Sequence, residues 1–278
     1  MYCRLGCLIL LVLSAAAQAA DPASVTVPLR LDKGVIFFDA TVDGKGPYAF
    51  ILDPGAEGAV SGDTLRKLGL PVTERAELKI AIGKAAIGKV SLQMIDGDGS
   101  DLDPKHDPAG PPIAGALGPE ILKQFALRLD YAHATLTLTP LATFKYQGRG
   151  QALPVVFHDV IPLITASADG VSGLFAYDVR APGKLMLFHP FLESHGFLSR
   201  YGVAPDGDHP AVIGVLHRLE LAGVTLADQP ATFAGYTTGK FAAADEAGIL
   251  GHDVLSQFVT TVDYRDKLIY FEAPTPPG

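Results

Sequence analysis

Short apolar runs separated by turn residues dominate the first third of the chain. Runs of five to eight residues with many β-branched and aromatic side chains occur here as VTVPLRL, VIFFDATV, YAFIL, ELKIAIG and KVSLQMI. Such runs are typical of strands, and the segment Asp43 to Pro47 predicts a hairpin turn between two of them. Helical patterns are short, from Asp63 to Leu68 and from Pro119 to Phe125. The pattern predicts an all-β protein with short helices.

A long segment of the chain occurs twice. Gly115 to Leu138 aligns without gaps with Gly248 to Phe271, and eight of the aligned positions are identical. Upstream of these segments, Val42 to Ala56 parallels Ala168 to Ala181. Repetition of several segments in the same order indicates two copies of one structural unit.

The two copies divide the chain into an N-terminal lobe at 21–147 and a C-terminal lobe at 148–278. Each copy has one aspartate at the end of an apolar strand, Asp53 in the first and Asp178 in the second. An isolated aspartate in such a place usually begins a turn. One aspartate at the matched place in each copy instead favours a site that is built from two carboxylates.

Residues 1–20 have the pattern of a secretory signal. Arg4 precedes an apolar run, and a small-x-small sequence predicts cleavage near Ala19. The apolar run is too short to cross a bilayer, so we expect a secreted or periplasmic protein without a membrane span. Both cysteines, Cys3 and Cys7, lie in this segment. The mature chain is therefore expected to have no disulfide and no thiolate chemistry.

The chain is acidic, with a formal net charge of −8. Its lysines and arginines are scattered, without the basic runs that bind nucleic acid or an anionic membrane surface. The composition therefore argues against both of these partners.

Asp53 and Asp178 could act together if the fold brings them face to face. Two carboxylates within a few ångströms of each other cannot both ionise cheaply, so they share a proton. The ionised carboxylate can take a proton from a water molecule, while the protonated one donates to the carbonyl that the water attacks. Such a pair hydrolyses an amide without a metal ion or a Ser or Cys nucleophile.

The residues around both aspartates carry a recognisable pattern. The first copy has FILDPGA at 50–56 and ALG at 116–118, and the second has FAYDVRA at 175–181 and ILG at 249–251. The chain resembles the retropepsin and pepsin superfamily of aspartic peptidases over nearly its whole mature length. In that family, Asp-Thr/Ser-Gly follows an apolar strand in each half, and a later strand ends in two hydrophobic residues and Gly.

The resemblance implies a bilobal fold of two β-barrel-like lobes with the active cleft between them. It also implies that Asp53 and Asp178 are the catalytic pair and that a β-hairpin flap within Leu78 to Val90 covers the cleft. We expect a monomer that needs no cofactor. The residues expected to support the two aspartate loops are Pro54, Gly55, Ala56, Gly118, Val179, Arg180, Ala181 and Gly251.

Neither aspartate loop keeps the family triplet. Pro54 and Val179 lack the hydroxyl that in the family bonds across the lobes, and Arg180 replaces a glycine. A guanidinium close to the pair favours ionised carboxylates. Both aspartates would then stay charged, and neither could donate a proton. If Arg180 points outward, the pair stays intact.

Other polar clusters are interpreted as structural. The acidic segment Ile95 to Pro108 lacks the glycine that a calcium loop needs for its turn, and the dispersed histidines form no HExxH motif, so no metal site is expected. The repeated pairs Asp130-Tyr131 and Asp263-Tyr264 are predicted to have a structural role, such as closing a turn or hydrogen-bonding the loop.

These observations leave three hypotheses about function. The first is a secreted aspartic-type endopeptidase that acts near acidic to neutral pH through Asp53 and Asp178. The alternative is a catalytically impaired relative that binds peptide or protein, because Val179 and Arg180 have removed the chemistry. A purely structural envelope domain would have no affinity for peptide.

Overall fold

The part of the chain that the computed structural model describes consists mainly of strands. The described residues are 24–97, 112–181, 183, 185–206 and 210–273. The predicted signal segment and most of the acidic segment lie outside them. The longest described helix has seven residues, and no described helix is long and apolar enough to span a membrane.

The first half contains nine strands and two short helices among the described residues. Helix α1 begins after Ser61, whose hydroxyl accepts a hydrogen bond from the Thr64 N–H, and it ends at Gly69 in the left-handed conformation. The elements in chain order are β1 (Val25–Asp32), β2 (Val35–Val42), β3 (Lys45–Leu52), β4 (Ala59–Ser61), α1 (Gly62–Leu68), β5 (Arg75–Ile82), β6 (Ala85–Ile95), β7 (Ile113–Leu117), α2 (Pro119–Leu122), β8 (Phe125–Asp130) and β9 (Thr135–Pro140).

The second half repeats this series, with two strands in place of β1 and two short helices in place of α1. A 3₁₀ turn at Lys240–Ala242 precedes its late strands. The elements are β10 (Gln151–Pro154), β11 (Val156–His158), β12 (Ile161–Ala168), β13 (Val171–Tyr177), β14 (Leu185–Leu187), α3 (His189–Ser194), α4 (Phe197–Tyr201), β15 (Ala211–Leu221), β16 (Val224–Ala234), β17 (Gly248–Leu250), α5 (His252–Leu255), β18 (Val259–Asp263) and β19 (Leu268–Glu272).

The two halves have the same strand pairing. Strand β3 is parallel to β7, which is antiparallel to β4. Strands β13, β17 and β14 repeat this arrangement. The hairpins β5–β6 and β15–β16 also correspond, because β6 is parallel to β4 and β16 is parallel to β14. The common pairing agrees with the duplication in the sequence, while the lobe boundary at residues 147 and 148 stays a prediction.

A sheet that contains strands from both halves holds them together. Its first six strands follow the order β10-β19-β18-β8-β9-β1, and the antiparallel contact of β18 with β8 places Val262 opposite Leu127. The sheet continues through β2, β3, β7, β4, β6 and β5, and a separate seven-stranded sheet lies in the second half. The prediction of an all-β, bilobal fold with two β-barrel-like lobes is confirmed.

The repeated Asp-Tyr pairs close turns after β8 and β18, as predicted. The Asp130 carboxylate accepts a hydrogen bond from the His133 N–H at 3.1 Å. The Asp263 carboxylate accepts from the Arg265 and Asp266 N–H groups at 3.0 and 3.2 Å. A carboxylate that bonds the backbone two or three residues ahead fixes a tight turn.

Two matched glycines allow close contact between strands. A methyl group on Gly115 of β7 would lie 1.9 Å from the Ala59 carbonyl oxygen, and one on Gly248 of β17 would lie 1.9 Å from the Met186 carbonyl oxygen. These glycines occupy the first aligned position of the duplicated segment. The duplication has therefore kept the same steric requirement in both halves.

We expect Gly115→Ala and Gly248→Ala each to lower the free energy of unfolding by about 3 kcal/mol, because the added methyl overlaps backbone that cannot move freely. Gly55→Ala is the control: its methyl would meet only ordinary contacts, at 4.0 Å, and should change stability by less than about 0.5 kcal/mol. Urea unfolding measures all three. A tolerated alanine at Gly115 or Gly248 would contradict this packing.

Candidate functional site

Asp53 lies directly beyond the buried end of β3. The preceding residues, Ala49 to Leu52, are fully buried. The Asp53 N–H donates to the Leu117 carbonyl of β7 at 2.9 Å, which extends the parallel pairing by one residue. The carboxyl group therefore leaves the sheet at the strand end, where the residue is 6% exposed.

Asp178 is held in the same way at the end of β13. Its N–H donates to the Leu250 carbonyl of β17 at 3.2 Å. Its Oδ1 accepts hydrogen bonds from the N–H groups of Arg180 at 3.0 Å and Ala181 at 2.9 Å. Asp178 thus closes a turn, and its carboxyl group also faces the cavity described below.

Three of the residues expected to support the aspartate loops lie at their bases. A methyl group on Gly118 would lie 1.8 Å from the Asp53 carbonyl oxygen, so a side chain there would displace the first loop. Gly118 and Gly251 occupy equivalent places, immediately before α2 and α5. Val179 is fully buried and anchors the second loop in the core.

A tyrosine from the second half contacts the first loop at Pro54. The Tyr264 Oη lies 3.5 Å from the Pro54 carbonyl oxygen. Tyr264 is largely buried, and this burial raises the pKa of its hydroxyl. A hydrogen bond of this length is weak, so it gives the first loop only modest support.

Asp53 and Asp178 line one cavity of about 370 Å³. Its lining combines residues of both halves, which places it between them. The apolar lining residues are Gly55, Ala56, Ile161, Ala176, Phe188, Phe241, Ala243 and Ile249. The polar lining residues are Asp53, His158, Asp159, Tyr177, Asp178, Arg180 and Glu246.

Arg180 contacts both aspartates. Its guanidinium Nη1 lies 2.7 Å from Asp53 Oδ2, and its backbone N–H donates to Asp178 as described. The Asp53 side chain is 8% exposed and that of Arg180 is 34% exposed. Arg180 therefore points into the site and pairs with Asp53 across the two halves, and the outward orientation considered from the sequence is not the one that the structure has.

The two carboxyl groups differ in their surroundings. Burial raises the pKa of Asp178, and the nearby charge of Asp53 adds to this. Three effects lower the pKa of Asp178 without overcoming the effect of burial. They are the hydrogen bonds from the backbone N–H groups of Arg180 and Ala181 and the positive charge of Arg180. The Arg180 charge lowers the pKa of Asp178 less than burial raises it, and the guanidinium itself binds the other carboxylate.

The hairpin expected to cover the cleft as a flap lies away from the cavity. Strands β5 and β6 do form a hairpin across Leu78 to Val90, but none of its residues, all of which are described, lines the cavity. β5 pairs with β2, and a methyl group at the turn residue Gly83 would lie 3.0 Å from the Val27 side chain. Pairing with β2 and contact with β1 hold this hairpin against the sheet.

Sequence reasoning missed a second ion pair in the cavity wall. His158 Nδ1 lies 2.7 Å from Glu246 Oε1 and 3.8 Å from Asp245 Oδ2. Ligand atoms of these three residues lie within 4.8 Å of one another, a spacing that could hold a metal ion. The sequence predicts no metal site, but its motifs could not detect this group, because 88 positions separate His158 from Glu246.

The fold is similar to that of a solved aspartic proteinase. The crystal structure of aspartic proteinase from Irpex lacteus matches with a TM-score of 0.57 and 12% sequence identity, covering 91% of this chain and 98% of that chain. No protein-family model and no curated protein matches the chain. At this low identity the likeness concerns the fold alone.

We expect Asp178→Asn to flatten the pH dependence of stability. The folded chain keeps the Asp178 proton at pH values at which the unfolded chain, with a pKa near 3.8, has released it. Asp178 therefore costs stability as the pH rises from 3.8 through its raised folded pKa. Asparagine keeps the Oδ1 acceptor, so the turn should survive.

The measurement is the free energy of unfolding across this pH range. Asp228→Asn is the control, because the Asp228 side chain is 75% exposed and outside the cavity. An Asp178→Asn curve parallel to that of the unmodified protein would show that Asp178 carries no raised pKa.

Proposed function

We propose that this aspartic-proteinase-like protein binds an extended polypeptide in the cavity between its halves and does not cleave it. The observation that carries the proposal is the contact of 2.7 Å between Arg180 Nη1 and Asp53 Oδ2. Hydrolysis by two carboxylates needs a water that can give its proton to the ionised one. The Arg180 guanidinium occupies one oxygen of Asp53, so it takes a place that such a water would need.

The surroundings of the cavity support a peptide as the ligand. Strand β11 is the terminal strand of the seven-stranded sheet, and His158 at its end lines the cavity. An extended peptide can pair with the free edge of such a strand and place alternate side chains in an adjoining pocket. The apolar side chains of Ile161, Phe188 and Ile249 offer contacts for those side chains.

We also propose that this binding takes place outside the cytoplasm. The signal pattern at residues 1–20 supports export. The ligands of the cavity would then be exported or extracellular polypeptides.

A second candidate is the aspartic-type endopeptidase itself, which the asymmetry of the two aspartates favours. Asp178 has a raised pKa and could donate a proton, while Asp53 in its ion pair would be the carboxylate that takes one from water. Different surroundings of two carboxyl groups are what separates acid and base roles in known sites. For this candidate, Arg180 has to leave Asp53 when substrate enters.

We expect the unmodified protein to bind short capped peptides, measured by calorimetry, and to leave a labelled unfolded protein intact between about pH 4 and pH 7. The double variant Val179→Thr, Arg180→Gly has the family's residues at these two positions. If it cleaves the unfolded protein, adding Asp53→Ala should abolish this cleavage. Arg30→Gly is the matched control, since the Arg30–Asp39 pair is exposed and outside the cavity.

Cleavage by the unmodified protein that is lost in Asp53→Ala would refute a binding-only role and establish the endopeptidase. A protein that neither binds nor cleaves would refute both candidates. Circular dichroism of each variant separates loss of function from loss of fold.

A further inference from the structure

Glu246 is a second buried acid in the lining of the cavity besides Asp53. The Glu246 side chain is 8% exposed, and that of its partner His158 is 46% exposed. His158 lies at the end of β11, whereas Glu246 lies in the loop before β17. The imidazole therefore covers the carboxylate from the more exposed side, where a ligand entering the cavity could replace it.

The charged groups of the cavity favour a cation. Among the described lining residues, the carboxyl groups are those of Asp53, Asp159, Asp178 and Glu246, and the bases are Arg180 and His158. The Arg180 guanidinium is already bound to Asp53. Glu246 therefore relies on His158 for its counter-charge. Charge complementarity at such a wall selects basic over acidic ligands.

The charge of His158 depends on pH. The hydrogen bond with Glu246 raises the pKa of His158, and the charges of Asp245 and Asp159 act in the same direction. Below this pKa, the imidazolium neutralises Glu246. Above it, the imidazole is neutral, and the buried carboxylate is left with its charge uncompensated.

We propose that Glu246 binds a lysine or arginine side chain of the peptide ligand and that protonated His158 blocks this position. The inference rests on the proposed peptide-binding function and names its ligand class. The rings of Phe188 and Phe241, whose centroids lie 5.6 Å apart, line the same cavity. The preferred peptide therefore combines a basic residue with a neighbouring large apolar residue.

The test uses capped peptides Ala-Leu-Xaa-Phe-Leu-Ala, in which Xaa is lysine, norleucine or glutamate. Calorimetry at about pH 8 and about pH 5.5 brackets the titration of histidine. At the higher pH, the lysine peptide should bind the unmodified protein about tenfold more tightly than the norleucine peptide. At the lower pH, the two peptides should bind about equally, because protonated His158 occupies Glu246.

Variants separate the roles of the two residues. Glu246→Gln should remove the lysine preference at both pH values, and His158→Gln should keep it at both. His217→Gln is the matched control: this exposed histidine on β15 faces Asp228 outside the cavity, and its loss should change nothing. The ratio of the two affinities is the readout, and His158→Gln shows whether any pH dependence of this ratio remains without the imidazole.

Equal binding of the lysine and norleucine peptides at the higher pH would overturn this inference and leave the proposed function standing. A preference for the lysine peptide in the Glu246→Gln variant would also overturn the inference and leave the proposed function standing. Absence of binding for every peptide would overturn the proposed function together with the inference.

Discussion

In each half, the backbone N–H of one aspartate bonds a carbonyl at the end of the neighbouring parallel strand. These bonds, from Asp53 to Leu117 and from Asp178 to Leu250, fix where each carboxyl group leaves its sheet. The close approach at Gly118 makes the first position intolerant of a side chain. Since strands β8 and β18 join the two halves, both aspartates reach one cavity, and the chemistry of the site follows from what surrounds them there.

Arg180 changes that chemistry more than any other residue of the two loops. A glycine at this position would leave both carboxyl groups in the cavity without a guanidinium on Asp53. The guanidinium instead neutralises Asp53 and removes part of the repulsion between the aspartates. Asp178 retains a raised pKa because its burial exceeds the effect of the hydrogen bonds and the positive charge near it. The pair is thus asymmetric, with one ion-paired member and one whose pKa is raised by burial.

Two ion pairs in the cavity share one arrangement. In Asp53–Arg180 and in Glu246–His158, an almost fully buried carboxylate is covered by a base that is about one third to one half exposed. A buried acid without a partner is costly, so each base stabilises the empty cavity. The two bases differ in one respect, because arginine stays charged at any pH that the folded protein meets, whereas histidine can lose its charge. Only the second pair can therefore respond to a modest change of pH.

The sequence by itself determined the all-β class, the duplication, and the aspartate at the end of one strand in each copy. These features are local: strand periodicity, turn residues and repeated motifs all lie within a few positions of one another. The tertiary structure decided that Arg180 points to Asp53, that the hairpin at Leu78 to Val90 packs on the sheet, and that His158 meets Glu246. Each of these features depends on contacts between residues far apart in the chain. A local sequence pattern does not show which distant residue a side chain will contact.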